Sequence, residues 1–403
     1  MDERTIVMIG VITSTFFIGF GGGVIYPILP NLGSILGISP FIVAVIMSAN
    51  RVSRLVAHAP AGGFVDRIGT RTPFVLGVAI QGVATAGYVV AMLVAVPEAL
   101  FMGARIVWGV GSAFVFAAGQ TIAADISDEA SRGKSMGLIR GGVIFGFPTG
   151  VVLGGLLSEL AGPIVAFTVA TGFAFIASGL AYLTVPETHV TESEEPRSKP
   201  WEINTGVPAL SVGVVNFSVY FVYFGVLFVT LVVFLDAAEL SVFGFGPQGT
   251  SGLFMGLSVI AAGGSMYVAG ALSDRNGSRV PTLSCFLLVS SVGYALLAST
   301  DSMVLLTAAC AAIGVGQGGI IGPLTALLAD LVPDQQMGRA SGTSNLFGDI
   351  GGASAPVVAL PLADIVGFRP IYVACAVIPL VALGVLLAGV YRATGQFAPD
   401  IED

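Results

Sequence analysis

Residues 302–329 read SMVLLTAACAAIGVGQGGIIGPLTALLA, a run without a single Asp, Glu, Lys or Arg. A helix needs about 20 such residues to cross the hydrocarbon core of a bilayer, so this stretch is long enough to span one. The runs 5–50, 72–97 and 203–235 are equally free of charge, and the first is long enough for two crossings. Charged residues make up 10% of the 403 positions and hydrophobic ones 55%, whereas a soluble domain carries about 25% charged residues. The apolar runs are continuous and do not alternate, which argues against a β-barrel. Fifty-five glycines suit helices that pack closely in a membrane. The expected fold class is an all-α membrane protein.

Other chemistry is narrowed by what is missing. The net charge is −8 and no basic cluster occurs, so no nucleic-acid partner is expected. Cys285, Cys310 and Cys375 lie inside apolar runs and read as small packing residues, without disulfide or metal spacing. His58 and His189 add no metal site to them. There is no Gly-x-x-x-x-Gly-Lys-Ser/Thr phosphate loop and no Ser/His/Asp array, so neither an enzyme nor a cofactor is expected. The start, Met1-Asp2-Glu3-Arg4, lacks a basic n-region, and the first apolar run reads as a retained helix.

Breaks at Pro, Gly and charge clusters give twelve spans: 6–28, 39–61, 73–95, 98–122, 137–158, 163–185, 207–235, 250–271, 280–299, 302–328, 340–362 and 369–391. The longest polar stretch, 186–206, divides them as a linker between an N-terminal six-helix bundle (1–185) and a C-terminal one (207–403). With both termini cytoplasmic, eleven of the 16 basic residues fall on the inner side and Arg369 alone on the outer, the other four lying within spans. That asymmetry is what short loops show in membrane proteins. It leads us to expect a multi-pass protein of the plasma membrane.

The chain also repeats itself. Gly62, Asp66, Arg67, Gly69 and Arg71 follow the second span; Gly270, Asp274, Arg275, Gly277 and Arg279 follow the eighth, each 208 positions later. Asp125 is echoed by Asp330 at an offset of 205. Two halves repeated in the same orientation are related by an axis along the membrane normal.

In these residues the sequence resembles the major facilitator superfamily, in particular its drug:proton antiporter branch. G-x-x-x-D-R-x-G-x-R after the second span, repeated after the eighth, is similar to that family's motif A. Arg105-Ile106-Val107-Trp108-Gly109-Val110-Gly111 resembles motif B of its proton-coupled members. Gly146-Phe147-Pro148-Thr149-Gly150 resembles the antiporter motif C, with Phe147 inserted into the usual Gly-Pro dipeptide. The resemblance implies two six-helix bundles with pseudo-two-fold symmetry and transport by alternating access. It implies that motif A gates the cytoplasmic side, with Asp66 facing a helix N-terminus and Arg67 and Arg71 reaching carboxylates such as Asp125. Gly62 and Gly69 are expected to permit close approach and a tight turn.

Charges within the spans are the candidates for solute contact or coupling. A charge at the bilayer centre costs from about 2.5 to over 10 kcal/mol. Arg51, Arg54 and His58 stand at i, i+3 and i+7 and share one helix face. Asp349, about 14 Å inside the eleventh span at 1.5 Å per residue, is the carboxylate expected to pair with Arg54, or with Arg51. The resemblance to motif B implies proton handling or substrate contact for Arg105, with structural anchoring as the alternative, and Arg140 is expected to snorkel. Asn216, Tyr220 and Tyr223 stand at i, i+4 and i+7 on the seventh span, and with Tyr26, Gln120, Gln317 and Asn345 they are expected to line a cavity. Gly142, Gly146, Gly150 and Gly154 form a bare stripe on the fifth span, bent by Pro148. By family analogy this stripe faces the eighth span.

The function expected is efflux of a small organic solute in exchange for protons, by a monomer in the lipid bilayer. The alternative is uptake or exchange of an organic anion through an arginine-lined cavity.

Overall fold

The structure is a computed structural model that describes residues 3–125, 132–187, 204–275 and 277–399. The helices are α1 (Glu3–Val24), α2 (Leu29–Leu36), α3 (Pro40–Ile68), α4 (Arg71–Ala91), α5 (Pro97–Asp125), α6 (Arg132–Ala161) and α7 (Pro163–Thr184). There follow α8 (Val207–Val219), a π-helical segment (Tyr220–Leu227), α9 (Phe228–Ala237), α10 (Pro247–Arg275), α11 (Arg279–Ala298), α12 (Met303–Leu331), α13 (Asp334–Val366) and α14 (Phe368–Thr394). No β-strand occurs among the described residues. Among the described residues eleven stretches are long and apolar enough to cross a membrane, α8 to α9 counting as one and Val7–Asn31 running from α1 into α2, and Phe145–Ala161 within α6 adds a shorter apolar helix. The twelve spans read from the sequence each find a helix.

Two departures from the sequence reading have local causes. The segment between the first two spans is not open loop: Pro30 sits in the first turn of α2, and Gly37, at φ 72°, closes it. The motif A residues are not in loops either. The two copies fall largely in the last turns of α3 and α10, and only Gly69 (φ 86°) and Gly277 (φ 68°) turn the chain. A side chain strains that left-handed conformation, which glycine adopts freely. Gly62 and Gly270, by contrast, have open space where a Cβ would stand, so they are not sites of close approach.

The chain forms two compact units, one of residues 1–196 with 243–253, the other of 197–242 with 254–403. In the first, α1 packs along α6 and α7, and α5 packs against α3 and α4. Its core joins Val11 and Ile18 to Phe74, Val78, Val115 and Ala177. In the second, α11 packs against α12 and α14, and α8 with the π-helical segment packs against α13. Val212, Val215, Leu283, Leu287, Leu327 and Leu386 are central to that core.

The α1–α6 seam shows why glycine is so frequent. A Cβ on Gly146 would run into the carbonyl of Phe16, on Gly150 into that of Phe20, and on Gly142 and Gly154 into Thr15 and Val24. From the other side, Gly19 and Gly23 of α1 meet the backbone at Val143 and Phe147. The stripe therefore seats α6 on α1, and the family analogy that turned it toward the eighth span does not hold for these four residues. It is the neighbouring Gly155 that abuts Gln248 and Gly252 at the start of α10. The helix runs through Pro148 without a break.

Candidate functional site

Among the described residues of the first unit the most buried charge is Arg105, with 1% of its surface exposed. It lies on α5 and is held by α3: its Nε donates to the carbonyl of Ile46 at 3.3 Å, and its Nη2 to that of Met47 at 2.8 Å and to Oδ1 of Asn50 at 2.6 Å. One turn on, Gly109 faces the same helix, where a Cβ would strike Ser53 and the Asn50 carbonyl. Trp108, on another face, lies where a Cβ on Gly22 of α1 would come within 3.1 Å of its ring. Motif B is thus a helix whose successive faces dock on α3 and α1.

Around Arg105 gathers a polar cluster. The Tyr26 hydroxyl bonds to Arg51 and faces Arg105, and Tyr88 of α4 lies beside Arg105 as well. The Tyr26 ring packs edge-on against Phe147, with centroids 5.4 Å apart. The residue that interrupts motif C therefore supports the tyrosine that reaches Arg51. Arg54, half-buried, holds its guanidinium 5.7 Å from the centre of the Phe116 ring. Burial falls along the expected stripe, from buried Arg51 through half-buried Arg54 to exposed His58.

In the second unit the face expected to be shared by Asn216, Tyr220 and Tyr223 is divided. Asn216 donates to the carbonyl of Ser344 at 2.8 Å, and Tyr220 lies with it against Gly348 of α13. Tyr223 instead pairs with Ser258 of α10 at 3.1 Å and is buried. The cause is the π-helical segment that begins at Tyr220. Its i→i+5 bonding, a geometry frequent at functional sites, breaks the α-helical periodicity on which the i+7 argument rested. Gln317 is likewise sealed, donating to Ser290 at 3.0 Å, so neither it nor Tyr223 lines a cavity. Asp349 is half-buried on α13, next to the Gly348 that meets Asn216 and Tyr220, and Asn345 is exposed.

Among the described residues the two motif A copies use their last arginine differently. In the second, Arg279 ties three helix ends together: it forms an ion pair with Asp274, another with Asp330 at 3.1 Å, and a bond to Ser273 at 3.3 Å. This makes chemical sense of the Asp330 echo. In the first, Arg71 donates to the carbonyl of Tyr182 at 2.6 Å and stacks 4.9 Å from that ring, so its Nη2 serves the end of α7. Arg67 and Arg275 are exposed. The side chains of Asp66, Gln120, Asp125 and Arg140 lie outside the described residues.

Asn50, Ser258, Ser290 and Phe147 are partners that sequence reasoning missed. Only Asn50 left a signal, as a polar residue ending an apolar run beside Arg51.

The sequence profile described as the Major Facilitator Superfamily matches residues 11–356. The chain belongs to that superfamily. This transporter is 24% identical over 395 residues to multidrug resistance protein 1 of Bacillus subtilis (strain 168), with 98% of each chain covered. It is 25% identical over 372 residues to the multi-drug resistance efflux pump PmrA of Streptococcus pneumoniae serotype 4, covering 89% of this chain and 90% of that one. Its fold matches a bacterial homolog of the human lysosomal transporter Spinster in an inward-facing, occupied conformation, with a TM-score of 0.81 at 16% identity over 99% of both chains. It also matches the human organic anion transporter MFSD10 (TETRAN), with a TM-score of 0.69 at 17% identity, covering 96% of this chain and all of that one. At such identity these structures establish the fold of the superfamily member and nothing finer.

Proposed function

We propose that this membrane transporter exports a small organic compound in exchange for protons, as a monomer of the plasma membrane with both termini in the cytoplasm. The halves 1–185 and 207–403 alternate access to the solute around the linker 186–206, and the motif A turns gate the cytoplasmic side. The observation that carries the coupling is Asp349: a carboxylate within a span, next to the glycine that contacts Asn216 and Tyr220. A carboxylate in that setting takes up a proton when the solute leaves and returns it when the solute binds. Arg54 is its proposed counter-charge, from matched depth in the spans. The similarity to multidrug resistance protein 1 and to the efflux pump PmrA supports efflux as the direction.

The test uses purified protein in liposomes with a panel of lipophilic dyes. The wild type accumulates dye under an imposed pH gradient, and Asp349→Asn loses that accumulation while still exchanging dye for dye. An Asp349→Asn transporter that remains driven by the pH gradient removes Asp349 from the coupling. Charge-swapped Arg54→Asp/Asp349→Arg protein recovers part of what either single change loses, if the two residues pair.

One observation favours a second reading, exchange of an organic anion. Arg54 holds a half-buried guanidinium on α3, 5.7 Å from the centre of the Phe116 ring, open enough to meet an anionic group, whereas Arg105, at 1% exposure, is sealed against α3. Solute movement that persists with the proton gradient collapsed, and that is competed by organic acids, selects this reading.

A further inference from the structure

At the end of the second unit away from the Arg275–Arg279 turn, where α9 finishes and α12 and α14 begin, a cavity of about 400 Å³ opens. Phe234, Phe368 and Leu240 give it an apolar wall, and Thr300, Asp301 and Arg369 its polar one. The two phenylalanine rings meet edge to face, with centroids 5.9 Å apart. Asp301 and Arg369 form an ion pair, their side chains 77% and 63% exposed.

This composition suits a small-molecule site: a concavity of several hundred Å³ with an apolar wall to seat a guest and an almost equal polar one to orient it. The ion pair sets the charge of that guest. An exposed pair contributes little stability, so a ligand displaces it easily. A ligand with one charge, of either sign, satisfies one partner and leaves the other without its counter-ion. A ligand with both charges replaces the pair at both ends.

We propose that this cavity binds a zwitterion on an apolar body. Its ammonium sits on the Asp301 carboxylate, its oxyanion takes the planar fork of Arg369, and its apolar part lies on Phe234 and Phe368. The site is separate from Asp349 and Arg105 and does not depend on the transport reading. Two sources offer this chemistry: a phospholipid headgroup joining an ammonium to a phosphodiester, and a soluble amino acid with an apolar side chain.

Binding to the purified full-length protein tests the proposal without reference to transport. Native mass spectrometry compares retention of phosphatidylethanolamine with that of anionic phosphatidylglycerol, and thermal shift measures stabilisation by L-phenylalanine. In the wild type at least one zwitterion is preferred, by roughly tenfold or more, the scale of one hydrogen bond to a charged group. That preference vanishes in Asp301→Asn and in Arg369→Gln, surface changes that leave folding intact, and weakens in Phe368→Ala. Preference for the lipid alone identifies a headgroup site, and stabilisation by phenylalanine alone a soluble one. Equal retention of both lipids with no effect of phenylalanine overturns the proposal, as does a preference that survives in both single variants.

Discussion

The Nη2 of Arg105 stands 2.6 Å from Oδ1 of Asn50, joining α5 to α3 inside the first unit. Both residues are buried, at 1% and 7% exposure. A charge this deep is tolerated because neutral acceptors surround it, and each bond to a charged group contributes about 1.5–3 kcal/mol. Asn50→Ala removes the one side-chain acceptor among those bonds, so unfolding in detergent, followed by size-exclusion thermostability, should show a loss of roughly 1–3 kcal/mol. Arg105→Lys keeps the charge without the planar fork. We expect it to fold less stably and to transport at a small fraction of the wild-type rate.

The glycine stripe of α6 gives a graded packing test. Gly146→Ala and Gly150→Ala push a methyl group into the carbonyls of Phe16 and Phe20, and overpacking of this kind costs about 1–3 kcal/mol. Gly263→Ala and Gly264→Ala, on α10 where a Cβ meets nothing, should leave the melting temperature unchanged. Equal effects at all four positions would show that helix propensity, not contact, governs them.

The π-helical turn at Tyr220–Leu227 accommodates more chain than an α-helix of the same rise. Deleting Phe224 should therefore let the segment close into regular α-helix and leave a folded protein. The Tyr223–Ser258 bond at 3.1 Å is lost in that deletion, and transport falls with it. Deleting Ile313 from the regular helix α12 has no such slack and should abolish folded expression. Circular dichroism and gel-filtration profiles of the two deletions check the contrast.

Arg279 links Asp274 to Asp330 near the surface, Asp274 being 72% exposed. Arg279 itself is only 14% exposed and Asp330 32%, so Arg279→Ala removes a partly buried hub of bonds and should cost about 1–3 kcal/mol of stability. If the triad gates transport, the same variant loses most solute flux in liposomes. Unchanged flux in spite of that cost would reduce the second motif A to a structural turn and a topology signal.

Much of this was legible beforehand, and the readings that survived share a cause. The runs 302–329 and 203–235 became α12 and the α8–α9 helix pair because a charge-free stretch of that length admits one solution in a bilayer: every backbone group must bond within its own segment. The Arg279–Asp330 contact joins two residues that the repeat had singled out, Arg279 as the echo of Arg71 and Asp330 as that of Asp125. The readings that failed were those that projected a regular helix onto particular faces. Tyr223 was placed with Asn216 and Tyr220 by counting, and the π-helical turn moved it to Ser258. Gly142, Gly146, Gly150 and Gly154 were rightly read as a surface of approach, yet nothing local says which helix approaches.

The amino-acid sequence by itself determined that this chain is a helical membrane protein, where its apolar helices lie, and where its turns repeat, since these follow from segment length, charge spacing and backbone hydrogen bonding along the chain. Only the tertiary structure decided that α1 and not another helix fills the glycine stripe, that Arg105 answers to Asn50, and that Asp301 and Arg369 border a cavity. Those pairings join residues tens to hundreds of positions apart, and which of many small or polar faces meet depends on how the helices pack as a set.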